Sequence, residues 1–145
     1  MNFLIRTVQS DDYHRGHLEL YKQLSKINPE NISYEKYENF INKLNEAHMI
    51  FVIEEENKII ATITILIEEK LLRNISKVGH IEDVVVDSNY RKFGLGKKLI
   101  KKIVEYCKEK SCYKIILNCS EHNKGFYEKC DFENKEIEMV MYLDK

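Results

Sequence analysis

Two adjacent carboxylates, Glu82 and Asp83, stand at the mouth of a valine run, Val84 to Val86, within the stretch GHIEDVVVDSNYRKFGLGKKL. An acid in such a place can hold an attacking amine and accept its proton, directly or through water. Further along, Arg91 to Gly96 spells RKFGLG and runs straight into a lysine-studded segment. Gly94 and Gly96 let the backbone turn tightly and approach a ligand closely. A helix starting there offers free N–H groups and the positive end of its dipole, an anion site suited to phosphate or pyrophosphate. Lys97, Lys98, Lys101 and Lys102 oppose that dipole, a cost that bound phosphate offsets. The Walker pattern is absent, and the dinucleotide fingerprint lacks its third glycine. From these residues alone, two blander readings stay open: a solvated strand end, and a glycine turn before an amphipathic helix. Strand alternation sends Glu82 and Asp83 to opposite faces unless a bulge intervenes.

The elements that must position these residues follow from periodicity. Phe3 to Thr7 reads as a strand, and Ser10 as the cap of a helix with Asp11 and Asp12 in its first turn. Tyr13, His17, Leu20, Tyr21, Leu24 and Ile27 recur at helical spacing until Asn28-Pro29. A second helix follows from Ser33, with Tyr37, Phe40, Ile41 and Leu44 on one face. HMIFVIEE and KIIATITILIEE form a hairpin around ENK, and KVGHIEDVVV makes the next strand. Leu95, Leu99, Ile103, Tyr106 and Cys107 then line one helix face, and YKIILN is a short buried strand. Ser120 caps a helix carrying Phe126, Tyr127 and Cys130, and EIEMVMYL closes as a strand. The order predicts an α/β (α+β) fold whose mixed central sheet has an antiparallel middle and one parallel crossover.

With 145 residues, 43% hydrophobic and 32% charged, the chain reads as one domain spanning 1–145. A net charge of −1 argues against a general nucleic-acid or membrane-surface binder. No apolar run approaches the roughly 18 residues of a membrane span, and the N-terminus lacks a secretory pattern, so a cytoplasmic location is expected. Cys107, Cys112, Cys119 and Cys130 do not have zinc-ribbon or redox-pair spacing, so no metal is expected and the thiols are expected to be reduced. Cys119 ends a strand close to the candidate site.

Arg91, Gly94 and Gly96 fit the pattern Arg/Gln-x-x-Gly-x-Gly/Ala, and here the chain resembles the GCN5-related N-acetyltransferases. The resemblance implies that family's fold along nearly the whole chain, with two splayed parallel strands, HIEDVVV and YKIILN. It implies acetyl-CoA as co-substrate. The backbone of Arg91, Lys92, Phe93, Gly94, Leu95, Gly96 and Lys97 would hold the pyrophosphate, and that of Val84, Val85 and Val86 the pantetheine and thioester. GHIEDVVV, CYKIILNCSEHN and GFYEKCDF, in this order, resemble the branch that acetylates the 2-amino group of glucosamine 6-phosphate, feeding UDP-N-acetylglucosamine synthesis.

That resemblance implies roles for single residues. Glu82 and Asp83 meet the sugar and its amine, Glu82 more directly. Tyr127 faces the coenzyme sulfur as donor to the leaving thiolate, a phenol of pKa about 10 against a thiol of about 8.5. Asn118 and Asn123 contact the cofactor. Ser25, Lys70, Leu71, Leu72, Arg73, Tyr113 and Lys114 contact the sugar phosphate. The implied assembly is an intertwined homodimer whose C-terminal strand completes the neighbour's phosphate pocket. Two alternatives share the fold: an acetyltransferase for a polyamine, a drug amine or a protein N-terminus, and a non-catalytic coenzyme A-binding module. The chain departs from the family pattern at Lys92 and Phe93, where glycine and a small or polar residue are common. Asp131 replaces a glycine, and Tyr142 replaces an arginine.

Overall fold

The structure, a computed structural model, describes residues 3–144. Five strands form one sheet in chain order: β1 (Ile5–Thr7), β2 (His48–Glu55), β3 (Lys58–Lys70), β4 (Ser76–Val86) and β5 (Cys112–Ile116). The first four run antiparallel, and β4 and β5 are parallel. A parallel pair needs a crossover, here supplied by the helix Leu95–Glu109 (labelled α3). Helices α1 (His17–Leu20) and α2 (Tyr34–Asn42) precede the sheet, and α4 (Glu121–Glu128) follows β5.

The hairpin around ENK forms as its sequence predicts: Glu56 and Asn57 both take positive φ, 49° and 62°. A two-residue loop with both residues left-handed matches the twist of its flanking strands. Ser33 caps α2, its hydroxyl accepting from the Lys36 N–H at 3.2 Å. The first helix departs from the reading. Instead of one run from Ser10, a 3-10 segment Ser10–Arg15 precedes α1, and Gly16 breaks them at φ 79°. Gln9, not Ser10, stands at the cap, and its N–H donates to the Asp12 carboxylate at 2.8 Å. Asp12 is buried and is held by Arg6 at 2.8 and 2.9 Å and by Arg15 at 3.2 Å. Burial alone would raise this carboxyl, but the Arg6 and Gln9 hydrogen bonds bring it below its usual range.

Apolar residues cover both sheet faces. Leu95, Leu99, Ile103 and Cys107 of α3 pack on Ile63, Ile65 and Ile81. On the other face Leu20 and Val8 meet Ile50, Val52, Ile59 and Val85. Each fully buried leucine or isoleucine contributes about 1.5–3 kcal/mol. Gly79 is part of this packing, since a Cβ there would stand 2.7 Å from the Cys107 sulfur. No helix among the described residues is long and apolar enough to cross a membrane.

The expected closing strand does not form. Residues 133–144 take no helix or strand, and Ile137, Met139, Met141 and Leu143 are 82–88% exposed. The segment is strand-like in composition but has no strand partner among the described residues.

Candidate active site

β4 does not keep its alternation through the two acids. Thr62 pairs with Val85 but Thr64 pairs with Glu82, so Asp83 and Val84 together oppose Ile63. This is a β-bulge, with Asp83 held in the left-handed region at φ 49°. The bulge exchanges the faces of the strand: Ile81 packs with α3, whereas Val85 joins the opposite core. Thr64 and Asp83 line one cavity. Cross-strand partners share a face, so Glu82 lies on Thr64's side. Both carboxylates therefore present to the same side, where simple alternation would have parted them. Burial raises the Glu82 carboxyl above its ordinary range, Asp83 and Glu138 add to the shift, and His80 opposes it.

The cavity, about 730 Å³, lies between α1, α2 and the sheet. Ser25 and Asp83 share its lining with His17, Tyr21 and Tyr37. One wall is a polar chain that the sequence did not reveal. The Thr62 hydroxyl donates to the Phe51 carbonyl at 3.3 Å. It therefore accepts from His17 Nε2 at 3.0 Å, which leaves Nδ1 to accept from the Tyr37 hydroxyl at 2.7 Å. Burial pushes the His17 imidazole down to about 4, so the ring is neutral and its tautomer fixed. Helical spacing marked His17 only as one member of an apolar face, because nothing local reports burial against Thr62.

A second cluster sits farther back along β4. Lys77 pairs with Cys112 but Val78 with Lys114, so Tyr113 is the extra residue of another bulge. The Arg73 guanidinium lies 4.4 Å from the centre of the Tyr113 ring, and Lys114 Nζ 5.6 Å from it. Arg73 reaches this place from a left-handed turn in which Arg73, Asn74 and Ile75 have φ 55°, 62° and 62°. Lys70 faces Glu68. Leu71 and Leu72 point to solvent, 86% and 64% exposed, and join neither cluster.

The glycine loop forms a 3-10 turn, Ser88–Phe93. Asp87 starts it, accepting from the Asn89 N–H and from Lys58 Nζ, both at 2.9 Å. Those donors hold the Asp87 carboxyl below its usual range, the Asn89 N–H most of all. Gly94 ends the turn at φ 69° and serves as the cap of α3, with no side chain accepting from the helix N–H groups. The N–H groups of Leu95, Gly96 and Lys97 thus stand open, as in an anion site. A Cβ at Gly96 would lie 3.0 Å from Phe126 Cζ, so glycine lets α4 close on the loop.

Phe93 is accounted for by packing: its ring lies 5.5 Å from Phe3 and 6.0 Å from Tyr90. Lys92 Nζ sits 5.3 Å from the Phe93 ring, and Arg91 is exposed beside it. The four lysines do not act together. Lys98 Nζ donates to the Phe3 carbonyl at 2.6 Å, and Lys102 lies over the Phe51 ring. Lys97 is exposed in the first turn of α3.

Pairing of β4 with β5 stops at His80 and Ile116, so Val84, Val85 and Val86 have no β5 partner. This is the splay between parallel strands that the sequence reading expected. Tyr127 packs against Phe126 and Phe132, with ring centres 5.0 and 6.0 Å away. Burial raises its phenol, with Cys119 and Cys130 adding to the shift, so the group is protonated at neutral pH. Asn118 and Asn123 are exposed, one following β5 and one in the first turn of α4. Asp131 takes φ 70°, the left-handed conformation expected where a glycine is usual.

A splayed parallel pair, an uncapped glycine-loop helix and a β-bulge between them define a class. The chain belongs to the acetyltransferase (GNAT) family, whose model matches residues 12–132. Among individual proteins, it is similar to the glucosamine 6-phosphate N-acetyltransferase of Arabidopsis thaliana, with 44% identity over 98% of this chain and 97% of that protein. Glucosamine 6-phosphate N-acetyltransferase 1 of Dictyostelium discoideum is 39% identical over 95% of this chain and 89% of its own. The crystal structure of the Arabidopsis enzyme superposes with a TM-score of 0.94, covering 99% of this chain and all of that one. An acetyltransferase of Trypanosoma brucei, 35% identical, superposes at 0.90 over 98% of this chain and all of its own.

Proposed function

We propose that this chain transfers acetyl from acetyl-CoA to the 2-amino group of D-glucosamine 6-phosphate, giving N-acetylglucosamine 6-phosphate and CoA. One observation carries the reading: the β4 bulge brings Glu82 and Asp83 to one face, and the cationic pair Arg73 and Lys114 stands at the other end of the same strand. Val78, the partner of Lys114, is four residues from Glu82, roughly 13 Å along the strand. Extended lysine and arginine side chains shorten that span to the length of a phosphorylated amino sugar. The names of the relatives point the same way. A cationic polyamine would meet repulsion from Arg73 and Lys114, which disfavours the alternative acceptor.

The residues present fit acetyl-CoA. Gly94 leaves open space where a side chain would stand, three N–H groups of α3 are uncapped, and the β5 side of Val84 to Val86 is unpaired. Bound there, acetyl-CoA supplies an activated acetyl thioester. The loop from Arg91 to Lys97 holds its pyrophosphate, and the backbone of Val84 to Val86 holds pantetheine and donates to the thioester oxygen. Glu82 takes a proton from the substrate ammonium. Its raised pKa brings it nearer the operating range of a base, and Asp83 holds the amine in line. As the new C–N bond forms and the C–S bond breaks, the Tyr127 phenol gives its proton to the departing sulfur and regains one from solvent. The amine's second proton leaves to water. Ser25, Tyr113, Lys114, Lys70 and Arg73 hold the sugar phosphate, with Asn118 and Asn123 on the cofactor side.

The reading includes a homodimer. The exposed apolar run from Ile137 to Leu143 supports it, since so much uncovered apolar surface is unusual on a monomer. It also includes a single domain over 1–145, a cytoplasmic setting consistent with four free thiols, and a place in UDP-N-acetylglucosamine synthesis. The deciding assay is thiol release from acetyl-CoA with and without glucosamine 6-phosphate. Release that depends on the sugar phosphate is expected; release that ignores it overturns the proposal.

A further inference from the structure

The Glu68 and His80 pair is used by nothing described so far. His80 Nε2 lies 2.9 Å from Glu68 Oε1, across the β3–β4 ladder. His80 stands two residues before Glu82 on β4, so the two side chains share a face, about 7 Å apart at their backbones. That face also carries Lys114, through its partner Val78. His80 therefore sits between the amine end and the phosphate end of the substrate track. The carboxylate holds one ring nitrogen, Nε2–H donating to Glu68.

We propose that His80, braced by Glu68, is a positioning residue for Glu82, a cationic neighbour that keeps this carboxylate ionised, and so free to take the proton of the amine, against the groups that favour its protonated form. The inference rests on the acetyl-transfer reading above. The charged groups around Glu82 leave this role to His80. Asp83 on the same strand and Glu138 of the C-terminal segment both favour its protonated form, as does burial. His80 stabilises the ionised form against them. His80 in turn faces Glu68 on β3, whose carboxyl is lowered first by the His80 hydrogen bond and then by Lys70. Thr64, the β3 partner of Glu82, is uncharged, and Tyr21 faces Asp83 from the α1 side. Glu68 is half exposed and His80 less so, which connects the row to solvent.

The test compares His80→Gln, which keeps a hydrogen bond to Glu68 without charge, with His80→Lys, which restores the charge. The readout is the acidic limb of kcat/KM for glucosamine 6-phosphate at saturating acetyl-CoA. Substrate ionisations are common to all variants, so differences between limbs report the enzyme. H80Q should move the limb to higher pH, because the ionised carboxylate loses its nearby cationic neighbour. H80K should bring it back. A limb unmoved in H80Q, or displaced equally in H80K, overturns the proposal. Direct titration of the Glu82 carboxyl by 13C NMR reads the same shift without turnover. Were the unaltered chain to leave glucosamine 6-phosphate untouched, the reading of the reaction would fall and the NMR titration would still decide the role of His80.

Discussion

Gly94→Val isolates the conformational demand of the coenzyme loop. Gly94 sits at φ 69°, and an added Cβ would meet nothing within 4 Å, so the cost of a side chain is purely one of backbone angle. A left-handed non-glycine residue costs about 1–2 kcal/mol, and a β-branched one lies at the upper end. Restricting the unfolded chain returns about 0.4–1 kcal/mol. The net penalty is therefore about 1 kcal/mol or a little more, and it can surface in two places. If the loop keeps its shape, folding stability falls by that amount. If the loop relaxes, the Leu95, Gly96 and Lys97 N–H groups lose their alignment, and coenzyme A affinity falls instead. The stability of the CoA-bound state relative to the unfolded chain bears the whole cost either way. Urea denaturation with and without saturating CoA, together with calorimetric titration of CoA, measures both portions. A combined loss of about 1–2 kcal/mol is expected, equivalent to five- to thirty-fold in CoA affinity if it all falls there. Unchanged stability together with unchanged CoA affinity would refute the reasoning.

Three further outcomes follow from the same geometry. Tyr127→Phe should lower kcat by about 10²-fold or more, the scale for losing a positioned proton donor, while CoA binding changes little; an unaltered kcat removes the phenol from the reaction. His17 is neutral in the folded protein with its pKa near 4, below the ordinary histidine value of about 6.5. The unfolded chain binds that proton first, so stability should fall as pH drops from 6.5 toward 4, by on the order of 3 kcal/mol. His17→Gln should flatten this part of the profile, and denaturation at pH 4.5 and 7 compares the two slopes. Deleting residues 137–145 should convert a dimer into a monomer in sedimentation velocity and depress sugar-phosphate turnover; an unchanged mass would count against the dimer.

Much of this protein is readable locally. The RKFGLG loop, the β-branched runs of β2 to β4 and the α3 stripe follow from residue type and period alone. These are short-range consequences of sterics and hydrogen bonding, and they suffice for the mixed sheet with one parallel crossover. Ser33 and the Glu56-Asn57 turn were legible for the same reason. Other features depend on partners far away in sequence. Gly16 interrupts the first helix, and Asp12 is held by Arg6 from β1 rather than serving only its own helix turn. Lys98 is drawn to the Phe3 carbonyl, 95 positions away, and so does not face phosphate. His17 became a buried hydrogen-bonding link only because Thr62 and Tyr37 converge on it.

The C-terminal segment shows the limit from the other side. Its pattern says strand, but a strand needs an edge to pair with, and among the described residues it has found none. The acids at positions 82 and 83 divide most sharply between the two levels. Their identity, and their place before a valine run, are given by residue order. That they face one way was decided by the register of β4 on β3, where one extra residue turned Asp83 left-handed. Alternation is a local rule, and the bulge that overrides it is set by the pairing of two strands.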